Sequence, residues 1–164
     1  IGAALHLGMS WYEIDQSLRN QEALQRVRLF KSKAGAVIVD DSYNASPLST
    51  IAALDFLDEL EGEKITILGD MLELGQYEAE GHQQVLNKAT LIAKSIVLIG
   101  PRYKKTLDQA VFWHFPREKI LWFEDAETAS DYLSHTLHEG QTALVKGSHG
   151  MEMYKIIEAL EVNS

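Results

Sequence analysis

Five short apolar segments, each followed by a turn signal, constrain the fold of this chain more strongly than any other feature. They are Ala36–Asp41, Lys64–Asp70, Ser95–Gly100, Lys119–Asp125 and Thr142–Ser148. The segments are rich in Val and Ile, and most lack the alternation of polar and apolar residues that a strand with one wet face shows. Continuous apolar strands of this length are typical of a parallel sheet that is covered on both faces.

Amphipathic helical patterns lie between the predicted strands. After the first strand, Ser46 is a suitable N-cap, Pro47 fits the first helical position, and apolar residues recur at helical spacing from Ile51. Further helices are predicted over Glu78–Thr90, Tyr103–Val111, Ala126–Leu137 with Asp125 as its cap, and Met153–Leu160. Because strands and helices alternate, the sequence predicts an α/β fold with right-handed crossovers.

The first part of the chain follows a different pattern. Ile1–Gly8 and Ser10–Leu18 both have helical character, and no strand separates them. We therefore expect residues 1–22 to be the end of a preceding domain and residues 24–164 to form the domain proper, entered by an edge strand over residues 24–31. The chain begins without Met or a basic leader, so we interpret it as a piece of a longer protein rather than as one with a signal peptide.

Composition excludes several classes of function. Of the 164 residues, 15 are Lys or Arg and 24 are Asp or Glu, and the resulting net charge of −9 disfavours a general nucleic-acid binder. The chain has no Cys, which excludes disulfides, thiolate zinc sites and thiol catalysis and fits a reducing cytosol. No apolar run approaches the roughly 18 residues of a membrane span. We expect a cytoplasmic protein that is a monomer.

Polar residues follow four of the predicted strands, where an open parallel sheet binds its ligands. These loops are Asp40–Asn44, Gly69–Gly75, Gly100–Arg102 and Lys146–Gly150. If the sheet is parallel, they share one edge, which would mix carboxylates with Lys146 and Arg102. Such an edge suits a charged ligand.

Each loop has a structural interpretation beside its functional one. Asp40 and Asp41 could bind a ribose hydroxyl or a magnesium ion, or they could form the turn and cap the helix. The glycines of Lys146–Gly150 could bring backbone amides to an anion, although an ordinary glycine turn is the more frequent case. In the Gly69–Gly75 loop, an acid could hold an ammonium group, or the loop could fold back onto the core.

Other patterns offer little chemistry. His135 and His138 lie three residues apart on a face that we expect to be solvated, so a metal site there is disfavoured. The sequence contains no GxxxxGK[ST] loop, no GxGxxG fingerprint and no GxSxG elbow. It therefore carries no recognisable phosphate-binding loop of its own.

Three motifs together resemble the C-terminal domain of the Mur ligases. They are DDSYNASP (residues 40–47), LGDMLELG (68–75) with His82 downstream, and VKGSHGM (145–151). They match in order and spacing, and the similarity is strongest to the branch that adds D-alanyl-D-alanine. The resemblance covers essentially the whole chain, and residues 1–22 are similar to the end of that family's central ATPase domain.

The resemblance implies a Rossmann-like three-layer domain, a reaction and its ligands. ATP phosphorylates the terminal carboxylate of UDP-N-acetylmuramoyl-tripeptide, and the amine of D-alanyl-D-alanine attacks the acyl phosphate. In this family ATP and Mg²⁺ are bound mainly by the central domain, while the C-terminal domain closes over the nucleotide and brings the acceptor. The resemblance therefore implies that this chain is inactive alone.

Site residues also follow from the resemblance. The nucleotide-binding residues would be Arg28, Asp41, Tyr43 and Asn44, and the acceptor-binding residues would be Asp70, Glu73, Lys146, Ser148 and His149. Two positions depart from the family pattern: Val27 stands where Gly is usual, and His149 where Arg is usual. Because His is shorter and only partly charged at neutral pH, a bidentate carboxylate contact at that position is weakened.

Two other interpretations remain open from the sequence. One is a related ligase with another acceptor, such as the folylpolyglutamate type. The other is an α/β binding module without catalysis. The succession of DSYN and DMLELG favours the dipeptide-adding branch.

Overall fold

The computed structural model describes residues 27–109 and 115–161. In these two ranges the strands are β1 (Arg28–Lys31), β2 (Val37–Asp41), β3 (Glu63–Gly69), β4 (Ser95–Ile99), β5 (Ile120–Phe123) and β6 (Gln141–Lys146). The α-helices are α1 (Pro47–Glu59), α2 (Glu78–Ile92), α3 (Pro101–Gln109), α4 (Ala126–Thr136) and α5 (Tyr154–Leu160). Short 3₁₀ turns cover Gly75–Tyr77, Arg117–Lys119 and His149–Met151.

The described strands form one sheet in the order β1-β2-β6-β3-β4-β5. Every neighbouring pair is parallel except β1 and β2. The last strand in the sequence, β6, lies between β2 and β3, so that Lys146 pairs in register with Asp41 on one side and with Leu68 on the other. The carboxyl ends of these three strands are therefore neighbours, which confirms the shared edge expected from the sequence.

Helices cover both faces of the sheet, because successive residues of each buried strand point to opposite sides. Leu68 and Leu144 belong to the core under α1, α2 and α3, whereas Ile67 and Val145 belong to the core under α4 and α5. This arrangement confirms the predicted three-layer α/β fold with a mostly parallel sheet.

Both predicted helix caps are confirmed, whereas α3 begins at Pro101, two residues before the predicted start at Tyr103. The Ser46 Oγ accepts a hydrogen bond from the backbone N–H of Ser49, and Pro47 is the first residue of α1. At α4, the Asp125 carboxylate accepts from the backbone N–H of Thr128 at 2.8 Å. Side-chain caps of this kind satisfy amides that the helix itself leaves unpaired.

The described residues also bear on several smaller expectations from the sequence. β1 confirms the edge strand, whereas the helices expected within residues 1–22 lie outside the described residues. His135 and His138 are exposed, as predicted. Among the described residues, no cluster of three His, Cys, Asp or Glu side chains is placed to hold a metal ion. None of the helices in the same ranges is both long and apolar enough to cross a membrane.

Candidate functional site

An ion pair between β6 and the end of β2 stands at the centre of the carboxyl edge. The Lys146 Nζ donates to the Asp41 Oδ2 at 2.6 Å and to the backbone carbonyl of Asn44 at 2.8 Å. The Lys146 side chain is only 3% exposed, and that of Asp41 is 18% exposed. A buried ammonium group therefore fixes the loop that follows β2.

An open cleft of about 400 Å³ lies beside this pair. It is lined by Val27, Asp41, Tyr43, Asn44, Ala45, Ser46, Ser49 and Lys146. We call it the Asp41 cleft. Its wall offers charges of both signs, hydroxyl groups and a carboxamide next to the N-terminus of α1, and its volume falls in the range of small-molecule sites.

The neighbouring acid, Asp40, has a different role. Its Oδ1 accepts from the backbone N–H and the hydroxyl of Ser42, at 3.1 and 2.6 Å. Its Oδ2 accepts from the guanidinium of Arg28 at 3.0 and 3.1 Å. Asp40 therefore forms the turn, as the structural interpretation expected, while Asp41 faces the cleft.

Arg28 reaches this edge from β1, which runs antiparallel to β2. Its guanidinium also donates to Glu161 at 3.2 Å. The hydrogen bond with Asp40 is the main reason why the pKa of Arg28 is raised. The side chain remains 52% exposed, so it stays positively charged at the rim, and its contact with a nucleotide remains a prediction.

A second cleft, of about 370 Å³, adjoins the first. It is lined by Asp40, Ser42, Tyr43, His149 and Tyr154, and we call it the His149 cleft. The rings of Tyr43 and His149 lie with their centroids 5.6 Å apart. Since Tyr43 lines both clefts and is 50% exposed, its ring forms the partition between them.

Asp70 lies at the same edge but is fully buried. Its carboxylate accepts from the backbone N–H groups of Arg102 and Tyr103 at 2.9 and 2.8 Å, so it caps the first turn of α3. Gly100 has a φ of +104°, and a Cβ there would lie 2.6 Å from the Asp70 Cγ. In this structure both oxygens of the buried Asp70 carboxylate bind the start of α3. Its assignment to acceptor binding stays a prediction.

Arg102, which the sequence also placed at this edge, contacts another acid. Its Nε donates to the Glu78 carboxylate at 2.7 Å, and its Nη1 lies 3.6 Å from Asp70. The hydrogen bond with Glu78 is the main reason why the pKa of Arg102 is raised. The side chain joins α3 to α2, and it lines neither the Asp41 cleft nor the His149 cleft.

The loop from Asp70 to Gly75 folds back onto the core, as one of the two interpretations proposed. Met71 is fully buried, and its backbone N–H donates to the Nε2 of His82 at 3.0 Å. The next amide, of Leu72, donates to the hydroxyl of Ser148 at 2.8 Å. Glu73 then adopts a φ of +65° and is exposed, so its carboxylate is accessible at the edge.

Ser148 connects the three sequence motifs. Its backbone N–H donates to the Asp70 carbonyl at 3.1 Å, and its hydroxyl contacts both the Leu72 amide and the Ala45 carbonyl. A Cβ on the preceding Gly147 would lie 3.0 Å from the Gly69 Cα. Close approach of the two strand ends therefore accounts for that glycine, and the motifs form one hydrogen-bonded unit.

His82 is the residue at this edge whose role the sequence did not reveal. It is fully buried on α2, and its Nδ1 lies 2.7 Å from the Glu78 carbonyl, so Nδ1 carries the proton and Nε2 accepts. Burial is the main reason why its pKa is lowered. The signal in the sequence was its spacing: it precedes Val85 and Leu86 by three and four residues, on the apolar face of the helix.

Comparison with known proteins identifies the family. A family model described as "Mur ligase, glutamate ligase domain" matches residues 25–149. The chain belongs to the Mur ligase family. The UDP-N-acetylmuramoyl-tripeptide–D-alanyl-D-alanine ligase of Bacillus subtilis (strain 168) is 28% identical over 137 residues, which are 82% of this chain and 30% of that protein.

Solved structures of Mur ligases agree. MurF from Acinetobacter baumannii matches 94% of this chain and 34% of its own, with a TM-score of 0.70 and 30% identity. MurF ligase from Thermotoga maritima, solved in complex with ADP, matches 82% of this chain and 30% of its own, with a TM-score of 0.66 and 25% identity. The chain thus spans about a third of the length of these relatives.

The structure of this Mur ligase domain groups the predicted site residues differently from the sequence. Asp41, Tyr43 and Asn44 line one cleft together, as expected of a nucleotide group. Lys146 was placed with the acceptor residues but lines that same cleft, because β6 lies next to β2. His149 lines the adjoining cleft.

Proposed function

We propose that this chain is the C-terminal domain of a ligase that joins D-alanyl-D-alanine to UDP-N-acetylmuramoyl-tripeptide at the expense of ATP. Residues 24–164 would form the domain, and residues 1–22 the end of a central ATPase domain of a cytoplasmic enzyme. The similarity over 82% of the chain to a ligase of that name supports the proposal. So does the match to an ADP-bound MurF structure.

The observation that carries the proposal is the charged Asp41 cleft at the carboxyl edge of the sheet. A carboxylate that is held in place by a buried ammonium group is a suitable acceptor for the hydroxyls of a ribose. The Asp41 cleft would therefore take the nucleotide, with Tyr43 and Asn44 beside it. The exposed guanidinium of Arg28 would approach the phosphates from the neighbouring strand.

The described residues do not fit a magnesium site. Asp41 is engaged by Lys146, both oxygens of Asp70 are engaged by α3, and the described residues offer no cluster of three ligating side chains. We therefore assign Mg²⁺ to the central domain of the ligase.

The acceptor dipeptide carries an ammonium group and a carboxylate, so its site needs groups of both signs. Glu73 is an exposed acid, and the imidazole of His149 can donate a hydrogen bond. Both lie on loops that Ser148 joins. We propose that these two residues bind the charged ends of the dipeptide, with His149 at the His149 cleft.

The chemistry then needs little beyond orientation. The dipeptide nitrogen forms a bond to the acyl carbon of the acyl phosphate, loses a proton, and inorganic phosphate leaves. Holding the amine next to the acyl carbon is the main contribution that this domain can make. Closing over the nucleotide would also exclude water, which otherwise competes with the amine for the acyl phosphate.

The test is phosphate release by the full-length ligase with D-alanyl-D-alanine as acceptor. We expect Lys146→Ala to reduce release that depends on the dipeptide, because the Asp41 cleft loses its internal ion pair. His138→Ala, an exposed control at the opposite end of β6, should leave it unchanged. Equal losses in the two variants, or release that needs L-glutamate instead of the dipeptide, would count against this site and this acceptor.

A second test uses the 164-residue chain alone. Its sequence has no phosphate-binding loop, so we expect no ligase activity and only weak ATP binding. Calorimetry measures the affinity, and micromolar binding would contradict the assignment of the phosphates to the central domain.

A further inference from the structure

We propose that His82 is a positioning residue for the acceptor: its neutral ring, protonated at Nδ1, holds the Asp70–Gly75 loop by accepting a hydrogen bond from the backbone of Met71. The link to the acceptor rests on the proposed function. The hydrogen-bond geometry does not depend on it.

The protonation state of the ring follows from its two contacts. A backbone N–H can only donate, so the Nε2 that lies 3.0 Å from the Met71 nitrogen must present a lone pair. A carbonyl can only accept, so the Nδ1 that lies 2.7 Å from the Glu78 oxygen must carry the proton. One tautomer of the neutral ring satisfies both contacts.

The surroundings favour this neutral form. The charged groups near the ring are Asp70 before the loop, Glu78 on α2 and Arg102 on α3, and Tyr103 packs edge-on at 4.7 Å between ring centroids. The Asp70 Oδ1 lies 4.0 Å from Nε2, but this carboxylate already caps α3 with both oxygens. It cannot turn to accept from a protonated Nε2 without releasing that helix.

Two successive amides of the loop are held by side chains from other elements. His82 takes the Met71 amide and Ser148 takes the Leu72 amide. The next residue, Glu73, has a φ of +65°, which is unfavourable for a residue with a Cβ. Such a conformation persists only where its neighbours fix it, so the direction of the Glu73 carboxylate depends on the two preceding hydrogen bonds.

Two substitutions in the full-length ligase separate the two ring contacts. In His82→Gln, the amide oxygen can occupy the place of Nε2 and accept from Met71. In His82→Asn, the shorter amide reaches only the place of Nδ1, so the bond to Glu78 can form while the Met71 amide loses its acceptor. His138→Gln provides a matched control on an exposed histidine.

We expect His82→Asn to raise the KM for D-alanyl-D-alanine on the order of tenfold, the equivalent of one lost hydrogen bond. The KM for ATP and the rate at saturating dipeptide should stay within about twofold of the wild type, because no residue of the Asp70–Gly75 loop lines the Asp41 cleft. His82→Gln should recover most of the dipeptide affinity. An unchanged dipeptide KM in His82→Asn, or an equal loss in both variants, would overturn the proposal.

Nitrogen-15 spectra of the wild-type ligase labelled at histidine give a measurement without activity or mutation. At neutral pH, the His82 ring should show a protonated Nδ1 and a bare Nε2, and the reverse tautomer would refute the proposal even if the variants fail to fold. Wild-type enzyme that releases no phosphate in response to the dipeptide would instead refute the proposed function and leave the tautomer result standing.

Discussion

The ion pair between Lys146 and Asp41 gives the sharpest test of how the carboxyl edge of the sheet is held together. We predict that Asp41→Asn destabilises the 164-residue chain by about 3 kcal/mol, because it leaves an almost fully buried ammonium group with only the Asn44 carbonyl. Lys146→Met should cost less, about 1.5 kcal/mol, because the Asp41 carboxylate is partly exposed and water can replace the ammonium group.

The double variant carries the decisive information. At a separation of 2.6 Å and an effective dielectric constant near 20, two unit charges attract by about 6 kcal/mol, and the desolvation of both groups opposes most of that gain. With both charges removed, neither group is left buried and unpaired. We therefore expect the variant with both Asp41→Asn and Lys146→Met to lose about 2 kcal/mol less free energy of unfolding than the two single variants lose in sum.

Urea unfolding of the four proteins at pH 7.5 measures this coupling. Equal denaturant slopes in the series would show that the variants differ in stability and not in the compactness of the unfolded chain. A coupling below about 0.5 kcal/mol would show that the two charges do not depend on each other, and would refute our description of the Asp41 cleft.

Two further predictions concern the Asp70 loop. Gly100→Ala should lower the free energy of unfolding by about 3 kcal/mol, because its Cβ would lie 2.6 Å from the Asp70 Cγ and the residue has a positive φ. Gly140 also has a positive φ but no atom within 4 Å of its Cβ position, so Gly140→Ala should lower it by about 1 kcal/mol in the same unfolding measurement. Equal losses in the two variants would exclude the clash with Asp70. Burial lowers the pKa of His82, so as the pH falls, the unfolded chain takes up a proton at this residue before the folded chain does. The neutral His82 therefore contributes fully to the free energy of unfolding above about pH 6.5. Below that pH the contribution is lost, by up to about 1.4 kcal/mol per pH unit. Unfolding at pH 7.5, 6.0 and 5.5 tests this, and a His82→Gln variant with the same slope would contradict it.

The sequence predicted the fold well because its signals were local. Five unbroken apolar segments indicated buried parallel strands, and the caps Ser46 and Asp125 marked two of the helix starts that the structure then showed. The rule that ligands bind at the carboxyl ends of such strands pointed to the edge at which the Asp41 cleft and the His149 cleft lie.

Pairings across that edge were not predictable in the same way, because they depend on the order of the strands. The position of β6 between β2 and β3 brings Lys146 against Asp41, and the order along the chain does not reveal that insertion. Had β6 been an outer strand, the same lysine would face another loop. The role of His82 was equally hidden, since it depends on which loop the buried face of α2 meets.

Three of the buried polar contacts at this edge share one property that bears on how the domain works. In each, a side chain of one element satisfies a backbone group of another: Lys146 the carbonyl of Asn44, Ser148 the amide of Leu72, and His82 the amide of Met71. A buried backbone group without a partner is costly, so no loop can move alone without leaving such a group unsatisfied.

The three motif loops therefore have to move as one body with the sheet. If the domain closes on a nucleotide that another domain holds, closure delivers the Asp41 cleft and the His149 cleft together, in a fixed relation that Tyr43 spans. In a preformed edge of this kind, the conformational entropy of the loops is lost once, when the domain folds, and not each time a ligand binds. The same hydrogen bonds account for the contacts among three motifs that lie far apart in the sequence.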